Sequence, residues 1–511
     1  MTTEASPRPS AAYDELASLL RTAATLTSIR ATLSWDQETV MPPRGGSFRA
    51  EEIALVSTLE HERLTDPRIG ELLAACESDR GLCSNEAIAA DLREIRRDFE
   101  RATKLPTELV AEIARTSSEA LEVWKEARQR SDFALFRPWL EKQFRLAADK
   151  ARCYGIPEGG ELYDPLLDEY EPGASAREIE GIFGPLRAAL APFLAEILAA
   201  PRAIDPSPRA LRLPLARQRE FSRFVAERIG FDFRAGRLDE STHPFTEGLA
   251  PGDTRITSRF SEDHATDALG STLHEAGHAL YEQGLPKDLH HGLPLSQAIG
   301  LGIHESQSRM WENQVGRSRP FWSWALPEAK RFFGPALEPL SVDQIYASVN
   351  QVRPSLIRVE ADETTYNLHV MLRFDVERAM VRGDLRVADL PAVWNERMRG
   401  DLGQEVPDDR SGCLQDIHWA GGAIGYFPTY TLGTLYAAQF WEAIRQAIPD
   451  LDEHLARGEF GALLSWLREN IHAHGRRWRA GELCLRLTGR PLGHGPMLRH
   501  LGTKLRPIYG I

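Results

Sequence analysis

Over most of this chain, apolar positions recur at intervals of three and four residues, the spacing that gathers them on one face of an α-helix. Leu16, Leu19, Leu20, Ala23, Leu26 and Ile29 share such a face and predict an opening helix over 11–32. Trp35 and Asp36 follow and read as a capped, packed turn, with the lining of a cleft as the alternative. The run Met41-Pro42-Pro43-Arg44-Gly45-Gly46 marks a loop, because paired prolines and glycines interrupt regular structure. A second helix is predicted from about Ser47 to Glu62. From Asn85 to Leu198 the spacing is helical again, with charged runs such as Asp91 to Asp98 that read as solvated faces. Tyr154 to Ala174, rich in Gly, Pro, Asp and Tyr, predicts a long loop, and Ala199 to Pro208 a Pro-rich break. Near His243 the period shortens. Short β-leaning runs on either side of Pro251-Gly252 predict a hairpin. Further helices are expected within Phe321–Val352 and over Glu363–Arg382, with two or three closing helices over Leu432–Ile511. No linker divides the pattern, so the expectation is a mostly α fold with a small β-sheet, one domain over residues 1–511.

One predicted helix carries chemistry. Ala265, Leu269, Leu273, Ala276 and Leu280 form its apolar stripe, and Gly284 and Pro286 supply the stop. On the same helix lies His274-Glu275-Ala276-Gly277-His278. His274 and His278 project about 40° apart and roughly opposite the stripe, so both rings can reach one metal ion on the non-packing side. Glu275 is placed to serve a water at that metal as general base. A hydrolytic zinc site needs three protein ligands and one open position. Glu305, which opens the next helical stretch in His304-Glu305-Ser306-Gln307, is the expected third ligand. His290, His291 and His304 are the rivals; the first two sit in a Gly/Pro-rich loop and read as solvated or substrate-facing.

Composition narrows the class. The chain has 511 residues and a net charge of −13, which argues against nucleic acid as a partner. No run of eighteen apolar residues is present, so no membrane-spanning helix is expected. Met1 to Ser10 lacks the basic start and apolar centre of a signal peptide, and a cytoplasmic address is the expectation. Five scattered cysteines with no C-x-x-C pair point to reduced thiols rather than a disulfide framework.

Two later stretches could complete a site. Arg358 would suit a substrate carboxylate, since a guanidinium grips carboxylate with two parallel hydrogen bonds; the alternative is an ion pair with Glu360 or Asp362. His418, and a tyrosine within Gly425-Tyr426-Phe427-Pro428-Thr429-Tyr430, could donate hydrogen bonds to an oxyanion.

Six motifs then stand in order: His243-Pro244-Phe245; Asp253-x-Arg255-x-Thr257; His274-Glu275-x-x-His278; His304-Glu305-Ser306-Gln307; Ile357-Arg358-x-x-Ala361-Asp362; and Gly412-x-x-Gln415-Asp416-x-His418-Trp419. Together they resemble the carboxypeptidase Taq family of metallocarboxypeptidases over nearly the whole chain. The resemblance implies a neurolysin-like helical fold with two lobes around a deep central groove, a homodimer, one zinc or cobalt ion, and release of single C-terminal residues from peptides with broad specificity, proline disfavoured. It favours Tyr426 over Tyr430 as the oxyanion donor, with His418 beside it. Arg358 becomes the first candidate for the substrate carboxylate, with Arg255 second and His243 a further substrate contact. Alternatives are an oligoendopeptidase, a dipeptidyl carboxypeptidase, or a non-enzymatic helical peptide-binding protein with a structural metal.

Overall fold

The computed structural model describes residues 11–263 and 265–511. Met1 to Ser10 and the side chain of Ala265 lie outside the described residues. The opening helix runs Ala11–Thr39, past the predicted end, because the stripe continues through Ala31 to Trp35, which is buried. Trp35 and Asp36 therefore occupy the last helical turns rather than a separate turn. The Trp35 ring lies under two guanidinium groups, Arg255 at 4.4 Å and Arg237 at 5.0 Å, and Asp36 pairs with Arg49 at 2.8 Å. The second helix, Gly46–Leu64, packs on the first and buries none of its own residues.

The expected loop at Tyr154–Ala174 contains a short helix, Asp164–Tyr170. Flanking glycines and prolines hid it. Tyr163, Leu166 and Leu167 are buried, and the Asp164 carboxylate accepts from Glu161 N (2.8 Å) and Ala176 N (2.7 Å), tying both flanks to the helix start. The next helix, Ala176–Leu198, is long and apolar enough by length and composition to cross a membrane, unlike the expectation from apolar runs. Here it packs Ile179, Phe183, Leu186 and Leu190 into the core.

The predicted hairpin is present as β2 (Thr246–Ala250) and β3 (Asp253–Ser258), antiparallel, with Gly252 at φ +75° in the turn. A third strand, β1 (Gly236–Glu240), pairs in parallel with β3, giving the order β1-β3-β2. Its sequence, Gly-Arg-Leu-Asp-Glu, has one apolar side chain, so alternation alone did not reveal it.

Behind the sheet, three helices meet at close range: Ala265–Gly284, Leu301–Arg309 and Pro428–Ala447. Glycine permits the approach. A Cβ on Gly277 would sit 2.6 Å from Ser308 Cα, and one on Gly433 would sit 2.5 Å from Glu305 Cβ. Leu301–Arg309 runs directly into a π-helix, Met310–Gly316. The C-terminal region has five α-helices among the described residues, more than the two or three expected, because short ones (Leu451–Ala456, Gly461–Asn470, Ala480–Thr488) separate Pro428–Ala447 from Gly495–Tyr509. One large hydrophobic core spans most of the chain, and a smaller one gathers Leu16, Leu20, Ile69, Leu73 and Leu92 beneath the opening helix. All five cysteines are free.

Candidate metal centre and active site

The His274 helix and the Glu305 helix cross at Gly277, which brings three donors together. His274 Nε2 lies 3.8 Å and His278 Nε2 3.4 Å from Glu305 Oε2, and ligand atoms of the three residues fall within 4.8 Å of one another. Glu305 is buried; both imidazoles are partly exposed. Gly433 presses on the Glu305 stem from the third helix.

Each imidazole is oriented through its other nitrogen. His274 Nδ1 is 2.9 Å from Glu312 Oε2. That carboxylate is held in turn by Arg309 (3.1 Å) and Arg317 (2.9 Å). His278 Nδ1 is 2.5 Å from His304 Nδ1, and His304 Nε2 is 2.9 Å from Glu282. With His278 donating, His304 accepts at Nδ1 and gives its own Nε2 proton to Glu282. This assignment from the hydrogen-bond network leaves the His278 Nε2 lone pair facing Glu305, and His274 Nε2 is left likewise by its bond to Glu312. A divalent cation fits such a donor set: two imidazole lone pairs, a carboxylate, and outer partners that fix the rings. His304 thus supports a ring rather than joining the cluster, and His290 and His291 lie outside it.

Charge at the centre is strongly perturbed. Burial raises the Glu305 carboxyl, but Arg309 and His274 overcome that and hold it well below the usual range. Arg309 donates to Glu305 at 2.6 Å. Burial pushes His278 down to about 3, reinforced by His304, so the ring is neutral. Burial also opposes the His274 imidazolium, yet Glu305 and Glu312 raise it overall. Glu275 is shifted upward, mainly by burial; its carboxylate accepts from Thr246 Oγ1 at 2.7 Å, so β2 positions it directly.

The remaining candidates divide. His418 and Tyr426 come together, with ring centroids 5.3 Å apart, and His418 Nε2 is 3.1 Å from Tyr430 OH. His418 is pushed down to about 3 by burial and then by Arg358, so it is neutral. Tyr426 is pushed up to about 12 by burial and then by the charge of Glu305, which keeps its hydroxyl protonated close to the metal cluster. Arg358 is 4% exposed. It pairs with Asp416, through Nε (3.0 Å) and Nη2 (2.9 Å), rather than with Glu360 or Asp362, and Nη1 donates to Tyr366 OH at 2.7 Å. Asp362 instead receives the backbone and side chain of Thr365 at the start of the next helix. Three of the five guanidinium N–H groups are thereby used, leaving two for another acceptor. The Tyr366 ring also carries Arg309 over its face at 4.2 Å, which links Arg358 to Glu305. Arg255 is clamped on Asp253 at 2.9 and 2.7 Å, above Trp35. His243 is exposed between β1 and β2. Neither joins the metal cluster.

Sequence reasoning missed Glu312, Arg309, Glu282, Thr246 and Tyr366. A signal existed for two of them: Glu305, Arg309 and Glu312 fall at i, i+4 and i+7, one helical face.

The sequence profile of the carboxypeptidase Taq (M32) metallopeptidases matches residues 15–505. Thermostable carboxypeptidase 1 of Thermus thermophilus is 45% identical over 510 residues, 98% of this chain and 100% of that one. Carboxypeptidase 1 of Bacillus subtilis is 36% identical across 94% of this chain and 95% of its own length. An M32 carboxypeptidase from Deinococcus radiodurans R1 superposes with a TM-score of 0.94 at 41% identity, covering 98% of this chain and 100% of that one. The paired histidines on their helix and a match along nearly the full length lead to one conclusion: this chain belongs to the carboxypeptidase Taq (M32) family and is a peptide-bond hydrolase of the metallocarboxypeptidase type.

Proposed function

We propose that this enzyme releases single residues from the C-termini of peptides, with broad specificity and with C-terminal proline a poor substrate. The observation that carries the reading is the convergence of His274, His278 and Glu305 within 4.8 Å. These residues would hold one divalent ion; zinc suits two imidazoles and a carboxylate, and cobalt is the alternative. A purely structural site would have four protein ligands, and among the described residues the cluster contains three. When bound, the ion supplies Lewis-acid polarisation of the scissile carbonyl and of water.

The chain's own groups do the rest. Glu275, buried and raised above an ordinary glutamate, takes a proton from the attacking water and returns it to the leaving amine. Tyr426, protonated, donates to the developing oxyanion, and neutral His418 stands beside it as a second donor. Arg358, fixed by Asp416 and Tyr366 with two N–H groups to spare, receives the terminal carboxylate; Arg255 is the second candidate, and His243 a rim contact. The family resemblance further supports two helical lobes in a single catalytic domain, a homodimer and peptides as partners; the net charge of −13 weighs against nucleic acid, and a cytoplasmic location away from membranes completes the reading.

Mass spectrometry of peptide digests with the metal-loaded enzyme tests the reading. The expected product is a ladder of one-residue losses from the C-terminus, abolished by chelator and weak on C-terminally amidated peptides. Dominant internal cleavage would make it an oligoendopeptidase, and two-residue products a dipeptidyl carboxypeptidase. Metal-dependent stability without any cleavage would indicate a structural metal.

A further inference from the structure

A cavity of about 750 Å³ opens beside the helix Asp164–Tyr170, bounded by the helix Glu86–Lys104, the Gly155–Gly160 loop and the start of Ala176–Leu198. It takes Asp164, Pro165 and Asp168 from the short helix. The following residues serve the metal site: Tyr170 packs on Tyr426 with centroids 5.1 Å apart, and the Glu171 carboxylate accepts from Gly302 N at 2.8 Å, at the start of the Glu305 helix. The cavity is therefore distinct from the metal centre.

Eight basic and six acidic side chains line it, a net positive wall on a protein that as a whole carries −13. Arg93, Arg476 and Arg479 all reach Glu94, at 2.8, 2.8 and 3.2 Å. Arg97 and Arg101 share Asp168 at 2.9 and 2.8 Å. Asp98 contributes one more carboxylate, to Arg97 and Arg476. Arg101 also reaches Glu169 at 3.9 Å, so five guanidinium groups rest on four carboxylates. Among the described residues, Lys104 and Arg177 pair with no carboxylate; each donates to a backbone carbonyl, of Tyr154 (3.2 Å) and Gly159 (2.8 Å). The Arg97 Nε is buried with no acceptor. The Arg101 guanidinium carbon lies 3.8 Å from the centre of the Tyr154 ring. Glu100, Glu158, Glu161 and Glu178 also line the cavity; Glu100 pairs with Arg96 at 3.9 Å and Glu161 with Arg378 at 2.6 Å, while Glu178 accepts from Ser175 at 2.8 Å. Burial lowers Arg479; Glu94 opposes that, and the neighbouring charges of Arg97 and Arg93 add to it.

We propose that this cavity binds a phosphoryl anion, gripped by Lys104, Arg177 and the free N–H groups of Arg97 and Arg479. Guanidinium forks match phosphate oxygens in pairs, and Lys104 adds a mobile point charge. The cavity is wide enough for more than one phosphoryl group, so the source is either an inorganic oligophosphate or the phosphate end of a nucleotide.

Isothermal titration of the full-length, metal-loaded protein tests this, with pyrophosphate, adenosine monophosphate and adenosine as separate arms. Saturable binding of pyrophosphate, weakened by added salt, is expected, and none of adenosine. Binding of adenosine monophosphate as well would identify a nucleotide source, and its absence an inorganic one; either supports the proposal. The double variant Lys104→Gln/Arg177→Gln, on the exposed rim and away from the metal centre, should lose about tenfold or more in affinity, the scale of a missing charged hydrogen bond, while basal peptidase activity stays unchanged. Pyrophosphate drawn to the metal cluster instead would bind the double variant as tightly as the wild type, and that result overturns the proposal. So would the absence of saturable binding, or adenosine binding as well as its monophosphate.

Discussion

Single side chains carry the proposed chemistry, and two of them make sharp predictions. Among the described residues, Glu275 hydrogen-bonds to no charged side chain and is held by Thr246. Glu275→Gln should therefore keep fold and metal content but lose about 10² to 10⁴ in kcat, the range for removing a general base; near-normal turnover would remove it from that role. Glu312 acts at one remove. Its carboxylate orients His274 and neutralises Arg309 and Arg317. Glu312→Gln should weaken metal binding by about 10- to 100-fold, as losing an outer partner does, measured by competition with a chromogenic chelator. Unchanged metal affinity would mean that packing alone orients the ring. Residue by residue, the candidate triad was legible because the two histidines share one helical face and Glu305 opens a later helical stretch. Arg358 was legible as an arginine of interest, but its partner was not. Asp416 lies 58 residues away in sequence, and nothing in the local pattern reports on such a contact.

Among the elements, the meeting of three helices depends on two missing side chains. Gly433→Ala would place a methyl 2.5 Å from Glu305 Cβ and Cγ. Overpacking of this kind typically costs about 1–3 kcal/mol. It should also displace Glu305, so metal affinity and thermal midpoint should fall together; a midpoint shift with metal affinity intact would show that the helices part without moving the carboxylate. The stripe of Leu269, Leu273, Ala276 and Leu280 made the His274 helix readable, because amphipathic periodicity survives in the sequence whatever the helix packs against. β1 and the helix Asp164–Tyr170 did not read. The first is a polar edge strand with one apolar residue, and the second is a single helical stretch between glycines and prolines. Both exist because tertiary partners, β3 and the Tyr163–Glu377 contact (2.5 Å), supply what local preference does not.

For the molecule as a whole, buried acids set how stability responds to pH. Glu377 accepts from Tyr163, Trp419 (2.6 Å) and Gly425 N (3.1 Å) without a cation in contact, and burial pushes it up to about 7. A carboxyl raised in the folded state favours folding fully below its unfolded value, near 4.5, and loses that contribution as pH rises through 7. Across that interval the loss is about 3 kcal/mol. Glu377→Gln should abolish it. In urea melts at pH 5 and pH 8, the stability difference between wild type and variant should shift toward the variant at pH 8, and parallel behaviour at both would contradict the shift. The small hydrophobic cluster under the opening helix has a consequence of another kind. Residues 11–39 rest on a satellite core, and 46–64 bury nothing. Little apolar burial joins this layer to the rest, so it should open as a separate cooperative unit before the globule unfolds. Amide protons there would then trade for deuterium sooner than those of the Glu305 helix, in a phase whose rate is insensitive to metal loading.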